Sequence, residues 1–291
     1  MTYQLFIGDR TFSSWSLRGW LMLEKFGIPY RTTMVGLYSG TKEADLADLF
    51  PARTVPVLRT PEGDILTDSL AMAETLVERH PEIALYPKDA TERALCRSLV
   101  AEMHSGFTAL RGACPMMLAH GFKGYSPDQG VLSDLQRIEL LWTTAMDRHG
   151  GAGPWLFGDY TLADVFYAPI AARIATYGLP VGDRAQAYMV AHLSDPSFRQ
   201  WRAMGLTKSY DPVPYQLDLP QSDWPGPLRL AARAVQSGPS ENDICPYSGD
   251  PVTHFLELDG RVFGFCNAFC RDKTVADPGA WPGFTAIYDV A

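Results

Sequence analysis

The chain has 291 residues, 46% hydrophobic and 20% charged, with a formal net charge of −8. Its length exceeds what one compact core usually holds, so at least two domains are expected. The acidic balance excludes a sequence-independent nucleic-acid binder, which needs clustered Lys and Arg.

No run reaches the roughly 18 apolar residues of a membrane span. The opening MTYQLFIGDR has no basic n-region and meets charge at Asp9, so no signal peptide is expected. Five widely spread cysteines, an odd number, do not suit a disulfide framework, and the reducing cytosol is the expected compartment.

In chain order, residues 4–7 read as a short apolar strand. Leu17, Trp20 and Leu21 recur at helical spacing and predict a helix over 17–26 that stops at Gly27. Residues 30–34 suit a second strand and 42–49 a short helix. Residues 55–59 and 65–67 flank the turn Pro61-Glu62-Gly63 and predict an antiparallel hairpin. A helix over 69–80 ends at Pro81. A β-α-β half followed by a β-β-α half is the order of the thioredoxin fold, assigned to residues 1–80.

Residues 91–208 show helical periodicity and no convincing strands, so 88–210 is expected to be an all-helical second domain. Within it Thr161 is placed as an N-cap, with Asp164 reaching back to its N–H as in a capping box. Residues 211–240, rich in Pro and Gly, read as a linker or wrapping tail. Residues 241–291 return to strand-like alternation about Asp259-Gly260 and form a separate unit. The expected class is a multi-domain α+β chain.

Three segments carry a resemblance. Thr11-Phe12-Ser13-Ser14-Trp15-Ser16-Leu17-Arg18 resembles the Ser-Ser-x-x-x-Arg segment of zeta-like and related bacterial glutathione transferases. Thr54-Val55-Pro56-Val57-Leu58 resembles the loop in which that fold carries a cis-proline. Asp68-Ser69 resembles the acidic-Ser pair that grips the γ-glutamyl end of glutathione. The three stand in order at the family's spacing, and 158–164 resembles the capping motif of its helical domain.

The resemblance implies an enzyme that binds glutathione and attacks a small electrophile with its thiolate. A free thiol has a pKa of about 8.5, and a hydroxyl donor beside a helix N-terminus favours the ionised form. Ser13 and Ser14 stand just before the expected first helix, and the resemblance aligns Ser13 with the catalytic serine. Either serine can instead be a plain N-cap. A cis Val55–Pro56 bond would offer the Val55 backbone to the cysteinyl part of the tripeptide as an added strand. The alternative is an ordinary edge-strand proline.

Asp68 can accept from the ligand's α-ammonium, and Ser69 can offer its hydroxyl and N–H to the α-carboxylate, unless both merely cap a helix. Lys42 or Arg53 can meet the glycyl carboxylate, or stand as solvated charges. The zeta class has a cysteine after the serine pair, tied to maleylacetoacetate isomerisation. Here Trp15 stands there, which counts against isomerisation and makes Trp15 a pocket wall or a core residue. His104 falls on a helix bordering the same pocket, although a lone helical His is more often just satisfied. Tyr3 lacks the surroundings of tyrosine-type transferases and is read as structural.

Cys245 is followed after 20 residues by Cys266 and after three more by Cys270. This spacing resembles the TRASH and YHS metal-binding modules, as do the stretches 246–249 and 265–270. On a helix, Cys266 and Cys270 would share one face, with Cβ atoms roughly 5–6 Å apart. With Cys245 from a loop they give three of the four ligands of a tetrahedral zinc, a staple for a unit too small for a secure core. The alternative is three unmetallated thiols. If Asp259-Gly260 is a two-residue turn, His254 faces Phe265, so Cys266 lies on the face opposite His254. Asp243 or water suits the fourth position as well. Cys96 and Cys114 are expected as core thiols.

The expected protein is a homodimeric glutathione transferase, its co-substrate glutathione, with one structural zinc in its tail and no nucleic-acid or membrane partner. Its rivals are a non-catalytic glutathione- or metal-binding sensor and a glutathione-dependent isomerase of the maleylacetoacetate type.

Overall fold

Along Tyr3–Ile7 (β1), Tyr3, Leu5 and Ile7 are buried and Gln4 is exposed, the alternation of a strand with one face on a core. This computed structural model describes residues 2–149, 153–208 and 217–289. The chain divides into two compact units, Met1–Leu193 with Pro212–Pro225, and Ser194–Asp211 with Gly226–Ala291.

In the first unit β1 pairs in parallel with Tyr30–Met34 (β2), Tyr3 opposite Tyr30 and Ile7 opposite Met34. Parallel neighbours need a crossover, supplied by Ser14–Glu24 (α1). Gly27, at φ 66, turns the chain back toward β2. The expected helix over 42–49 is Lys42–Leu46 (α2) followed by a 3-10 turn at Ala47–Leu49. Val57–Arg59 (β3) runs antiparallel to β1 and to Ile65–Leu66 (β4), so the sheet order is β2-β1-β3-β4. Ser69–Arg79 (α3) completes a thioredoxin-like layer.

The helical part of this unit holds Ala90–Ser105 (α4), Thr108–Ala113 (α5), Gln129–His149 (α6), Leu162–Tyr177 (α7) and Asp183–Ser194 (α8). Every residue of α7 is buried, so this helix is the axis of the helical core. The capping box forms as expected: the Thr161 N–H donates to Asp164 Oδ2 at 2.8 Å. The Tyr188 hydroxyl and the Leu156 N–H donate to Oδ1. Burial raises the Asp164 pKa to about 6, against the pull of these donors.

Residues 91–208 are not wholly helical. Gly121–Phe122 (β5) pairs with Gln221–Ser222 (β6), a ladder of two residues that is too short to show any alternation.

The second unit begins with Pro196–Gly205 (α9). Residues 233–240 fall within the expected linker, yet Arg233–Val235 (β7) is a strand. It pairs with His254–Leu258 (β8), which pairs with Arg261–Phe265 (β9). The β8–β9 turn is the predicted one, with Asp259 and Gly260 both at positive φ (51 and 76) and His254 opposite Phe265. Ala268–Ala276 (α10) and Pro282–Tyr288 (α11) close over the sheet, where Leu256, Phe263, Phe265 and Phe284 are fully buried. Ala203 of α9 joins this core, and Arg199 donates to both oxygens of Asp277 at 2.9 and 2.6 Å. The last helix of the expected helical domain therefore belongs to the core of the tail.

All five cysteines are free, and no helix among the described residues is long and apolar enough to cross a membrane.

One buried base in the first unit sets an acid limit. His192 of α8 is 1% exposed, its ring packs against Tyr188 and Trp155, and Nε2 has no hydrogen-bond partner among the described residues. Burial first, and the charge of Lys25 second, push its pKa down to about 3. In the unfolded chain it titrates near 6.5. A depressed folded-state pKa stabilises the fold above that value, and the stabilisation is lost as pH falls from 6.5 toward 3, at about 1.4 kcal/mol per pH unit. His192→Phe is therefore expected to flatten the fall in unfolding free energy between pH 6.5 and 4 by about one proton's slope, read by urea melts at each pH. Parallel curves for the two proteins would show that His192 is not the group being titrated.

Candidate active site

The start of α1, the loop before β3 and the helices α4, α5 and α7 surround a cleft of about 780 Å³ in the first unit. Ser13 is the N-cap of α1: its Oγ accepts from the Ser16 N–H at 3.2 Å and donates to Ser16 Oγ at 2.8 Å. Ser16 Oγ in turn accepts from the Gly8 N–H at 3.0 Å, tying the helix start to the end of β1. Ser14 takes a longer contact, 3.5 Å, from Arg173 Nη2. Both serines line the cleft. α1 begins three residues earlier than apolar spacing predicts, because the cap and not the hydrophobic face sets its start.

Val55 lines the same cleft, and the Val55–Pro56 bond is cis, as is Phe50–Pro51. Pro56 itself is not on the lining. It packs under α1, where a Cβ on Gly19 would lie 2.9 Å from Pro56 Cβ, so α1 reaches this turn because residue 19 has no side chain. Lys42 and Arg53 line the cleft as exposed cations, neither with a hydrogen bond or ion pair among the described residues.

Asp68 and Ser69 are also off the lining. Asp68 is the N-cap of α3, with Oδ1 accepting from Leu70 and Ala71, while Oδ2 lies 3.3 Å from Nε2 of His104, a lining residue. Capping thus takes one Asp68 oxygen and leaves the other on the cleft side of the helix. Ser69 Oγ is buried with no partner among the described residues, an arrangement that costs about 1–3 kcal/mol until something accepts from it. Tyr3 stands apart from the cleft, its hydroxyl engaged by Arg79 and His80.

Trp15 is a wall of the cleft. Its ring lies 3.8 Å from the Arg18 guanidinium and 5.0 Å from that of Arg111, with His104 edge-on at 5.4 Å. Burial lowers the His104 pKa, against the attraction of Asp68, so the ring is favoured neutral. The sequence reading missed Arg111 and Arg173. Arg173 carried a signal, the one basic residue in a largely apolar helix; Arg111 stood on a short amphipathic stretch and carried none.

In the second unit, the ligand atoms of Cys245, Cys266 and Cys270 all lie within 4.8 Å of one another. Cys266 does not share a helix with Cys270. It precedes Asn267, the N-cap of α10, and only Cys270 is helical, their sulfurs 3.8 Å apart. The cap explains the break, because Asn267 Oδ1 accepts from the Cys270 N–H while its Nδ2 donates to Cys266 Sγ. Burial opposes a thiolate at Cys245, but the N–H groups of Cys266, Tyr247 and Ser248 donate to it and bring its pKa down to about 7. Burial and the Cys245 charge push the Cys270 thiol up. Neither His254 nor Asp243 is in the cluster; His254 Nδ1 is engaged by Thr253.

A thioredoxin-like sheet with a helical partner, and a serine-capped helix opening on a cleft beside a cis-proline loop, define a protein of the glutathione transferase class. The family model described as glutathione S-transferase, N-terminal domain, matches residues 12–79. A Caenorhabditis elegans protein named "Probable maleylacetoacetate isomerase" is 32% identical over 166 residues, 55% of this chain and 73% of that protein. The Pseudomonas aeruginosa maleylacetoacetate isomerase is 30% identical over 204 residues, 68% of this chain and 94% of its own. A glutathione transferase homologue from Burkholderia, solved with bound glutathione, superposes with a TM-score of 0.54 at 24% identity over 72% of this chain and all of its own. The chain belongs to the glutathione S-transferase family.

Proposed function

We propose that this protein binds glutathione in the cleft, holds its sulfur as thiolate through Ser13, and directs it at an electrophile. The carrying observation is the Ser13 hydroxyl at the α1 N-terminus, in one cleft with Val55. In the free protein Ser13 donates to Ser16 Oγ, and turning that O–H toward a thiolate gives a stronger, charge-assisted bond. The α1 N-terminus and Arg173 beside Ser14 add to the same stabilisation. Val55 pairs with the cysteinyl backbone, Ser69 meets the α-carboxylate, Asp68 Oδ2 the α-ammonium, and Lys42 or Arg53 the glycyl carboxylate. The thiol proton goes to solvent, the sulfur bonds to the electrophilic carbon, and the leaving group departs with its electron pair. The working form in this reading is a cytosolic homodimer, in which a partner would cover Phe50, an apolar side chain 86% exposed.

Glutathione-dependent isomerisation is the second reading, favoured by the names of the relatives. Trp15 in the place of the zeta-class cysteine weighs against it, and the two share the same thiolate. Assay of purified protein with glutathione and maleylacetoacetate, beside a chloronitrobenzene, separates them.

Ser13→Ala should lower turnover by about 10²-fold while glutathione still binds, the loss of one donor to a developing or resident charge. If Ser14→Ala has that effect and Ser13→Ala does not, the assignment is off by one residue.

The second unit is proposed to hold one structural zinc through Cys245, Cys266 and Cys270. The donor set fits, since three thiols converge and one is already held near its ionised form by backbone N–H groups. A bound zinc would crosslink the loop at Cys245 to the start of α10. Metal analysis of untagged protein should find about one zinc per chain, and chelation should speed proteolysis of residues 226–289 while glutathione turnover persists. Protein that is folded, metal-free and protease-resistant in this region would rule the site out.

A further inference from the structure

The cleft is cationic in a protein of net charge −8. None of the side chains lining it is acidic, whereas Lys42, Arg53, Arg111 and Arg173 all line it. Two of these lie on the α2 and β3 side and suit the tripeptide. The other two come from the helical wall, across from the tripeptide's carboxylates in the proposed binding mode.

Arg111 is the more telling. Its Nη1 donates to the carbonyls of His104 and Gly106, at 3.2 and 3.0 Å, at the C-terminal end of α4. That end favours a cation and fixes the plane of the guanidinium. No carboxylate among the described residues pairs with it, and its Nε and Nη2 make no hydrogen bond there. Behind it Arg18, 1% exposed, lies over the Trp15 and Phe166 rings, and its buried Nε and Nη1 have no hydrogen-bond partner among the described residues. Burial dominates the lowering of the Arg18 pKa, and the charges of Arg111 and Arg173 add to it, with Asp68 the opposing charge. Asp68 is itself shared with His104 and two backbone N–H groups. The Arg18 and Arg111 guanidinium groups both lie over the Trp15 ring, and no carboxylate among the described residues pairs with Arg111; a planar fork with open donors is matched by a carboxylate.

We infer that Arg111 is the residue that selects the second substrate, by binding a carboxylate on it. Met116, Pro115 and the Trp15 ring line the same wall, so the substrate class is a flat, largely apolar electrophile with a carboxylate at one end. Arg173 and Arg18 add positive charge beside Arg111. The inference rests on the glutathione reading above.

The probes are 4-chloro-3-nitrobenzoate and 4-chloro-3-nitrobenzamide, equal in shape and differing in charge. With either, the glutathione sulfur bonds to the chlorine-bearing ring carbon and chloride leaves with the bonding pair, the thiol proton having passed to solvent. The wild-type protein is expected to favour the benzoate by about tenfold or more in kcat/KM, the range of one charge-assisted pair. In Arg111→Met the ratio should fall to near one, through the KM of the benzoate. Arg111→Lys, which keeps the charge without the fork, should restore part of it. Titration of wild-type protein with 3-nitrobenzoate and 3-nitrobenzamide, followed by tryptophan fluorescence, reads the same preference without turnover and without relying on a variant. Equal affinity for the two, a benzoate preference that survives in Arg111→Met, or a loss that appears instead as weaker glutathione binding would each overturn the inference. Failure of glutathione to bind in calorimetry would overturn the glutathione reading alone, and the same titration repeated on Arg111→Met would still decide on Arg111.

Discussion

The site depends on how the first turn of α1 is held. Gly8 at the end of β1 donates to Ser16 Oγ, and Ser16 is bonded through its N–H and its hydroxyl to Ser13. The end of a central strand thereby holds a helix N-terminus through a short chain of hydrogen bonds, and the start of the cleft is placed relative to that turn. Trp15, one residue on, is fixed with it. Gly19, a turn further, is the contact that lets the cis-proline loop approach. Preorganisation here rests on two small hydroxyls and one missing Cβ, because long side chains would need to lose rotamer freedom on every binding event.

The same economy shows in Asp68 and Asp164. Each carboxylate caps a helix, and each has an oxygen to spare. Asp164, fully enclosed, gives its second oxygen to Tyr188 and Leu156. Asp68 gives its second to His104, a residue of the cleft lining. Asp68 caps as an N-cap and Asp164 as the third residue of a capping box, and what surrounds each decides which groups meet the leftover oxygen.

Much of this was legible in the sequence where a local rule acts alone. The strand over 4–7, a helix that ends before Gly27, the Asp259-Gly260 turn and the Thr161–Asp164 box are set by neighbours in sequence, and all formed, although the helix ends at Glu24 and not at residue 26. Ser13, Ser14, Val55 and Lys42, distant in sequence, all line one cleft. What could not be read depends on distant partners. β5 and β6 are each two residues, and only their pairing a hundred positions apart makes them strands. α9 has ordinary helical periodicity, and nothing local shows that its apolar face meets Ala280 and Trp281 rather than α7. Arg111 is one surface-like arginine among many until Trp15, Arg18 and the end of α4 are brought beside it.

The return of the chain through β6 has a bearing on how such a protein can be taken apart. Residues 217–225 belong to the first unit although α9 has already begun the second, so the backbone passes between the units more than once. No single cut yields both halves intact. Ending the chain just after α9 would strip β5 of its partner strand and leave α9 without the tail core it packs on. A cleaner exchange would move 194–211 and 226–291 together, as two segments of one graft. The tail is then a unit drawn from two stretches of chain and not from one, and any transplant of it must join the host at more than one point.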